Sequence, residues 1–507
     1  MKNNFIKGAI YGAIALCGLN QSDAIAQQTT NQVMEKYRPD FHFTPKAHWM
    51  NDPNGMVYYN GTYHLFYQYH PGGTTWGPMH WGHAVSGDLF NWQEKPIALY
   101  PDSLGAIFSG SAVIDKDNTA GFGKNAMVAI FTHHNQKIEE AKTGLHQYQS
   151  IAYSNDEGNT WTKYKGNPVL PNPGITDFRD PKVMWFEQGK KWIMTLATKD
   201  RITFYSSPNL KQWTKESDFG ATQGAHGGVW ECPDLFTLTV NGKKVWVLLV
   251  SINPGGPNGG SATQYFTGSF NGHEFVADSK EEKWIDYGTD NYAGVTWSNT
   301  GDRRIFLGWM NNWLYANQVP TVAWRGATTV PRELSLSEQN GRMIISSLPV
   351  KELSAFLEKP LTLSLGAGSN QTRKTAKIPS GKPFELRLET KDLSSFSISL
   401  LSSGSDKVIF GYDKAHNRFF IDRRNAGDVS FNKEFSAVHY GPRISKSNTI
   451  SMKVLIDAAS IEVFADNGTC VMTDIFFPKK PINSLEVLTN KGSGLKALKY
   501  LPLKRMN

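Results

Sequence analysis

Gly61-Thr62-Tyr63-His64-Leu65-Phe66-Tyr67 is a glycine turn followed by an apolar run, and four similar stretches follow it. They are Ala126-Met127-Val128-Ala129-Ile130-Phe131, Gly189-Lys190-Lys191-Trp192-Ile193-Met194, Gly242-Lys243-Lys244-Val245-Trp246-Val247-Leu248 and Arg304-Ile305-Phe306-Leu307-Gly308-Trp309. Their starts lie 65, 63, 53 and 62 residues apart. Short runs rich in β-branched and aromatic residues, bounded by turn residues, read as strands. Three units continue into a Ser-x-Asx turn closed by a tryptophan, at Ser86 to Trp92, Ser154 to Trp161 and Ser207 to Trp213. Strand groups repeated at this interval predict propeller blades, and five units predict five blades. The competing reading is an irregular β-sandwich whose hairpins are alike by chance.

Past about Pro331 the texture changes. Leu348 to Leu357 reads as a short amphipathic helix or linker, and short alternating runs such as Phe384-Glu385-Leu386-Arg387-Leu388 and Ile461-Glu462-Val463-Phe464 follow. Strands at that spacing without a helical period indicate a sandwich. The predicted fold is therefore all-β: a five-bladed propeller over 38–345, a linker over 346–359 and a C-terminal β-sandwich over 360–507.

A chain of 507 residues has room for two cores. Its net charge of +8 is spread over scattered Lys and Arg, which argues against nucleic-acid binding. Lys2 and Lys7, the apolar stretch Ala9 to Leu19 and Ala24-Ile25-Ala26 form a signal-peptide pattern over 1–26. That run is too short to be a permanent span, so the expected product is exported to the periplasm or outside the cell. Cys17 after Ile14-Ala15-Leu16 offers a lipid-anchored alternative. Only Cys232 and Cys470 would remain in the mature chain, and neither a disulfide, a metal nor a cofactor is expected. Oligomeric state is left open.

The repeat also organises the acids. Asp52 lies nine residues before Gly61, Asp180 nine before Gly189 and Glu231 eleven before Gly242. All three thus fall on the innermost strands of blades one, three and four, which line a propeller's channel. Two carboxyl groups facing one bond suffice for retaining glycoside hydrolysis. Asp52, presented by the turn Pro53-Asn54-Gly55 that is expected to end its strand, suits the nucleophile. Glu231, expected to be desolvated by Val229, Trp230 and Pro233, suits the acid/base. Asp180, expected to be kept ionised by Arg179, suits a stabiliser of positive charge on the ring. Asn51, Gln68 and Ser109 are candidate hydrogen-bonding groups for sugar hydroxyls, and Trp76, Phe108 and Trp313 are candidate walls. His80 and His83 are assigned to local hydrogen bonds instead.

Trp49-Met50-Asn51-Asp52-Pro53-Asn54-Gly55, Arg179-Asp180-Pro181 and Trp230-Glu231-Cys232-Pro233 together resemble glycoside hydrolase family 32, which contains invertases, inulinases and levanases. The similarity extends to Gln68-Tyr69-His70-Pro71, where Asn is more usual than His70, and to Trp81-Gly82-His83-Ala84, Phe108-Ser109-Gly110-Ser111-Ala112 and Ile461-Glu462-Val463-Phe464. The resemblance implies the same two-part fold and the same roles for the three acids. It places Asn51, Gln68, Trp76, Ser109, Arg179 and Trp313 around a terminal fructose. The stretches Gly308 to Trp313, Trp324 to Ala327 and Gln149 to Ser154 look more like levanases and inulinases than invertases. The expected substrate is a fructan (levan or inulin, with sucrose a further candidate), cut from the chain end. The alternatives are an endo-acting levanase, a fructosyl transferase, an inverting arabinan hydrolase on a related propeller, and a fructan-binding protein without catalysis.

Overall fold

The computed structural model describes residues 35–339, 341–363, 366–367, 373–490 and 494–506. The signal-peptide pattern and Cys17 lie outside them. Five sheets succeed one another along the chain between His48 and Pro349, and two more make up the C-terminal part.

Blade one comprises His48–Tyr59, Thr62–His70, His80–Ser86 and Gln93–Leu99. Blade two begins at Ala106–Asp115, blade three at Phe178–Phe186, blade four at Val229–Val240 and blade five at Tyr292–Thr296. These five first strands pack against one another in order, and the fifth returns to the first. Ser298 N donates to Met56 O across that closure, at 2.9 Å. Each of the five apolar stretches seen in the sequence is the second strand of a blade or leads into it. In the Ser-x-Asx turns, Ser154 Oγ donates to Asp156 at 2.7 Å, while Trp161 Nε1 donates to Gly158 O at 3.1 Å.

These second strands are not half-exposed. Ala126–His134 is buried at every position, because a blade has a neighbour on each face, which favours a continuous apolar run over alternation. Outer strands such as Gln93–Leu99 are mostly half-buried, with only Gln93 and Pro96 exposed.

The last propeller strand, Arg342–Pro349, runs past the expected boundary at 345, and a 3₁₀ turn, Lys351–Phe356, follows it. A seven-stranded and a five-stranded sheet then face each other over a core that includes Leu386, Ile398, Phe410 and Val454. One apolar cluster spans the propeller and the sandwich, with Phe41, Leu455, Phe464 and Val471 among its members. Buried ion pairs cross this seam: His42 to Asp457 and Glu462 at 2.7 Å each, Arg332 to Glu462, and Arg423 to Asp290 at 2.6 Å. Among the described residues no helix is long and apolar enough to cross a membrane.

Candidate active site

All five innermost strands break register at one level, and each break sets two residues against one on the second strand. Asn51-Asp52 oppose Gln68, Phe108-Ser109 oppose Thr132, and Asp180-Pro181 oppose Leu196. Cys232-Pro233 oppose Val250, and Ala293-Gly294 oppose Gly308. A bulge interrupts the two-residue alternation and re-aims a side chain. The ring of bulges therefore turns neighbouring residues toward one channel mouth. Asp180, Cys232 and Ala293 adopt positive φ of 65°, 44° and 52°, which costs on the order of 1–3 kcal/mol each.

Two sequence expectations are corrected here. Pro53-Asn54-Gly55 does not end its strand, which continues to Tyr59; the segment forms bulges within it. Gly55 has φ +57°, and a Cβ there would lie 2.6 Å from the Trp81 ring, so only glycine fits without displacing the indole. Trp230 does not desolvate Glu231. Its indole is buried on the other face, in a core with Phe266, and donates to Ala225 O at 2.9 Å.

All ten residues picked from the sequence line one pocket of about 490 Å³. Asp52 accepts from Asn51 Nδ2 at 2.8 Å and from Ser109 Oγ at 2.7 Å, and Asn51 is itself fixed by Trp49 Nε1 at 2.8 Å. Cys232 joins two of the acids: its Sγ lies 3.5 Å from Asp52 Oδ2 and from Asp180 Oδ2, and its N–H donates to Asp180 at 3.0 Å. The two carboxylate oxygens are thus at most twice that sulfur contact apart. Glu231 is held by Arg179 Nη2 at 2.9 Å and by the Tyr292 hydroxyl. Gln68 Nε2 is buried with no protein partner among the described residues.

Arg179 pairs mainly with Glu231 and Asp177, not with Asp180. It lies 2.9 Å from Glu231, 2.6 Å from Asp177 and 4.0 Å from Asp180. Burial raises Asp180 to about 7; Arg179 opposes the shift, while Glu231 and Asp52 add to it. The expected permanent ionisation of Asp180 is not found. Burial also raises Asp52, and Glu231 adds to that, against Asn51 and Ser109. The Arg179 guanidinium is shifted upward: burial lowers it, and the three carboxylates more than offset that.

The walls are aromatic. Trp313 stacks on Trp49 with centroids 5.9 Å apart, Trp76 meets Phe108 edge-on at 6.1 Å, and Phe108 stacks on His134 at 4.3 Å. His70, the departure from the family pattern, donates from Nδ1 to Thr75 O at 2.8 Å and so braces the loop that carries Trp76. His83 is buried against His64 at 3.1 Å, and His80 donates to Pro78 O at 3.0 Å; neither lines the pocket. Sequence reasoning missed Cys232, Tyr292 and Asp177 as partners of the acids. It also missed His134, Glu139 and His146 on the pocket wall. Cys232 stands inside a motif already singled out, whereas Tyr292 could have been found only by extending the blade alignment to the fifth unit.

The Glycosyl hydrolases family 32 N-terminal domain model matches residues 42–347, and the family 32 C-terminal model matches 354–501. A levanase of Bacillus subtilis is 48% identical over 93% of this chain and 71% of its own length. An extracellular exo-inulinase of Aspergillus niger is 38% identical over 90% of this chain and 93% of its own. The crystal structure of an exo-inulinase from Aspergillus awamori superposes with a TM-score of 0.84 at 34% identity, covering 93% of this chain and 99% of the other. With both halves of the chain matched in order, and the bulged acids at the places the motifs give them, the chain belongs to glycosyl hydrolase family 32.

Proposed function

We propose that this chain is a retaining hydrolase that removes fructose from the ends of β-fructosyl chains. Asp52 attacks the anomeric carbon, and Glu231 protonates the leaving oxygen and later activates water. Asp180 stabilises positive charge on the ring and binds its hydroxyls. The observation that carries the reading is the arrangement of the acids: Asp52 and Asp180 flank one sulfur, while Glu231 faces them on the side of Arg179 and Tyr292. Hydrolysis with retention needs a nucleophile and an acid on opposite sides of one bond.

Each group's surroundings support its role. Ser109 and Asn51 donate to Asp52 and hold it in a fixed aim. Arg179 and the Tyr292 hydroxyl hold the Glu231 carboxyl in position from two sides. Gln68, Asn51 and Arg179 bind the terminal fructose, with Trp76, Phe108 and Trp313 as walls. The propeller, through its last strand Arg342–Pro349, carries the chemistry and the sandwich over 360–507 supports it, on a protein exported by its N-terminal segment.

Exo action is favoured by a pocket walled by Trp76 and Trp313 together with the short helix Gln136–Glu140. Purified protein on levan, inulin and sucrose, with chromatography of the earliest products, tests this. Fructose alone supports exo cleavage, and a ladder of oligomers establishes endo cleavage. Asp52→Asn should lower turnover by ~10⁴-fold or more with the fold intact. A variant that still hydrolysed levan at near-normal rate would end the assignment.

A further inference from the structure

His134, Glu139 and His146 lie on the hairpin that closes blade two, and the chemistry above uses none of them. His134 ends the second strand, Glu139 sits in the helix Gln136–Glu140, and His146 immediately precedes the third strand. The hairpin backbone brings them together. Asn135 N donates to His146 O at 2.8 Å, and Asn135 Oδ1 caps the helix by accepting from Ile138 N at 3.2 Å. His134 Nε2 is 3.2 Å from Glu139 Oε2, and His146 Nε2 is 3.9 Å from Glu139 Oε1. One ligand atom from each residue falls within 4.8 Å of the other two.

Those separations suit a small cation. Zinc bonds of about 2.0–2.2 Å to nitrogen and oxygen put the corners of a tetrahedron about 3.4 Å apart. The pair at 3.2 Å already matches, and the exposed end of Glu139 can close the rest. A second observation points to a ligand. His146 is 5% exposed, yet neither of its ring nitrogens makes a hydrogen bond within the described residues, the Nε2 that faces Glu139 included. At 3.9 Å its Nε2 is beyond hydrogen-bonding range of Glu139. A buried imidazole left in that state calls for an explanation.

We propose that His134 Nε2, the Glu139 carboxylate and His146 Nε2 bind one divalent transition-metal ion of the zinc type. Two imidazoles and a carboxylate select that class over calcium or magnesium, which prefer all-oxygen sites. Three protein ligands leave a fourth position, open to the pocket, for water or a sugar hydroxyl. Binding shifts the His134 proton from Nε2 to Nδ1, and the 3.4 Å contact from Gln147 Nε2 to that nitrogen must open. The His134 ring also carries Phe108, so an ion here stiffens the wall that Phe108 and Trp76 form.

The sequence held no sign of this site. Its ligands are spaced H-x4-E-x6-H, and they converge only because a short helix is inserted in a hairpin.

The test is calorimetric titration of chelator-stripped full-length protein with zinc chloride, without substrate. One site is expected, weakened at least ~30-fold by Glu139→Gln and by His146→Ala. Zinc-edge absorption spectra of the loaded protein should show two imidazoles. Glu139 is half exposed, so its variant keeps a readout if His146→Ala does not fold. Unchanged binding in both variants, or loss of binding only in Asp52→Asn, would overturn the proposal. So would no zinc uptake by wild type. Because binding is measured without turnover, either result leaves the fructan reading to its own test.

Discussion

The seam between the propeller and the sandwich and the pocket at the channel mouth both bury carboxylates, and they differ in how the charge is met. At the seam, Asp286, Asp290, Asp457, Glu462 and Asp474 face His42, Arg332, Arg423 and His439, which is five acids against four bases. In the pocket, Asp52, Asp177, Asp180 and Glu231 share Arg179 alone among the named groups. Burial pushes Glu462 and Asp474 upward, but Arg332 with His42, and His439 with Arg423, hold them below their ordinary values. Asp290 is the seam's exception, raised by burial despite Arg423. In the pocket burial prevails for both Asp52 and Asp180. A seam needs its charges settled before anything binds. A glycosidase pocket gains from a deficit of positive charge, because the oxocarbenium-like ring supplies the missing cation only in the transition state.

If that contrast is right, removing a base from the seam is a stability lesion and removing an acid from the pocket is not. Arg332→Met leaves Glu462 and Asp286 buried without their main partner, and should cost about 3–5 kcal/mol. Calorimetry should show a lowered melting temperature, while kcat of the folded fraction stays near wild type. An unchanged melting temperature would break the comparison. Asp180→Asn should do the reverse. Turnover on levan falls by ~10²–10³-fold, yet stability at pH 8 holds or rises. The sign follows from the raised pKa: the folded chain holds this proton more tightly than the unfolded one, so stability is lost as pH climbs from 3.8 to about 7. An amide never ionises and escapes that loss. A variant less stable than wild type at pH 8 would show that Asp180 is paired well enough to count as structural.

The same contrast explains what could be read from the sequence. Blade number was legible because a second strand buried on both faces must be apolar wherever it occurs, and five such runs stood out. The acids were legible because blade symmetry converts sequence offset into height along the channel. What the sequence hid was the bulge. Alternation predicts that Arg179 and Asp180 point apart, and a left-handed Asp180 brings both to the pocket. The charge pairing then came out differently, with Arg179 on Glu231 and Asp180 left near neutrality. The seam was hidden for another reason. Arg332 and Glu462 are 130 residues apart, and no local pattern marks a pair that forms only when two domains dock. The metal-type cluster on blade two combines both obstacles, with ligands brought together by a helix too short to leave a periodic signal.

His42 gives the finest test, because among the described residues of the seam its imidazole faces a carboxylate at each ring nitrogen and, when protonated, donates to both. Burial lowers its affinity for a proton, but Asp457 and Glu462 more than offset that and raise it to about 9 from 6.5. A raised pKa in a base means that its stabilising effect is complete below pH 6.5 and is lost as pH rises through about 9. The loss should be at most on the order of 3 kcal/mol. Asp40, raised to about 6 by burial and Asp457, and Asp180 titrate mainly below this window; the Cys232 and Cys470 thiols, raised above 9.0 by burial, add a slope common to both proteins, so the difference between wild type and His42→Gln isolates His42. Urea unfolding between pH 7 and 9.5 should show a steeply falling midpoint for wild type and a lower, more gently falling one for His42→Gln. Parallel curves for the two proteins would mean that the ring is neutral at the seam, and that Arg332 alone settles Glu462.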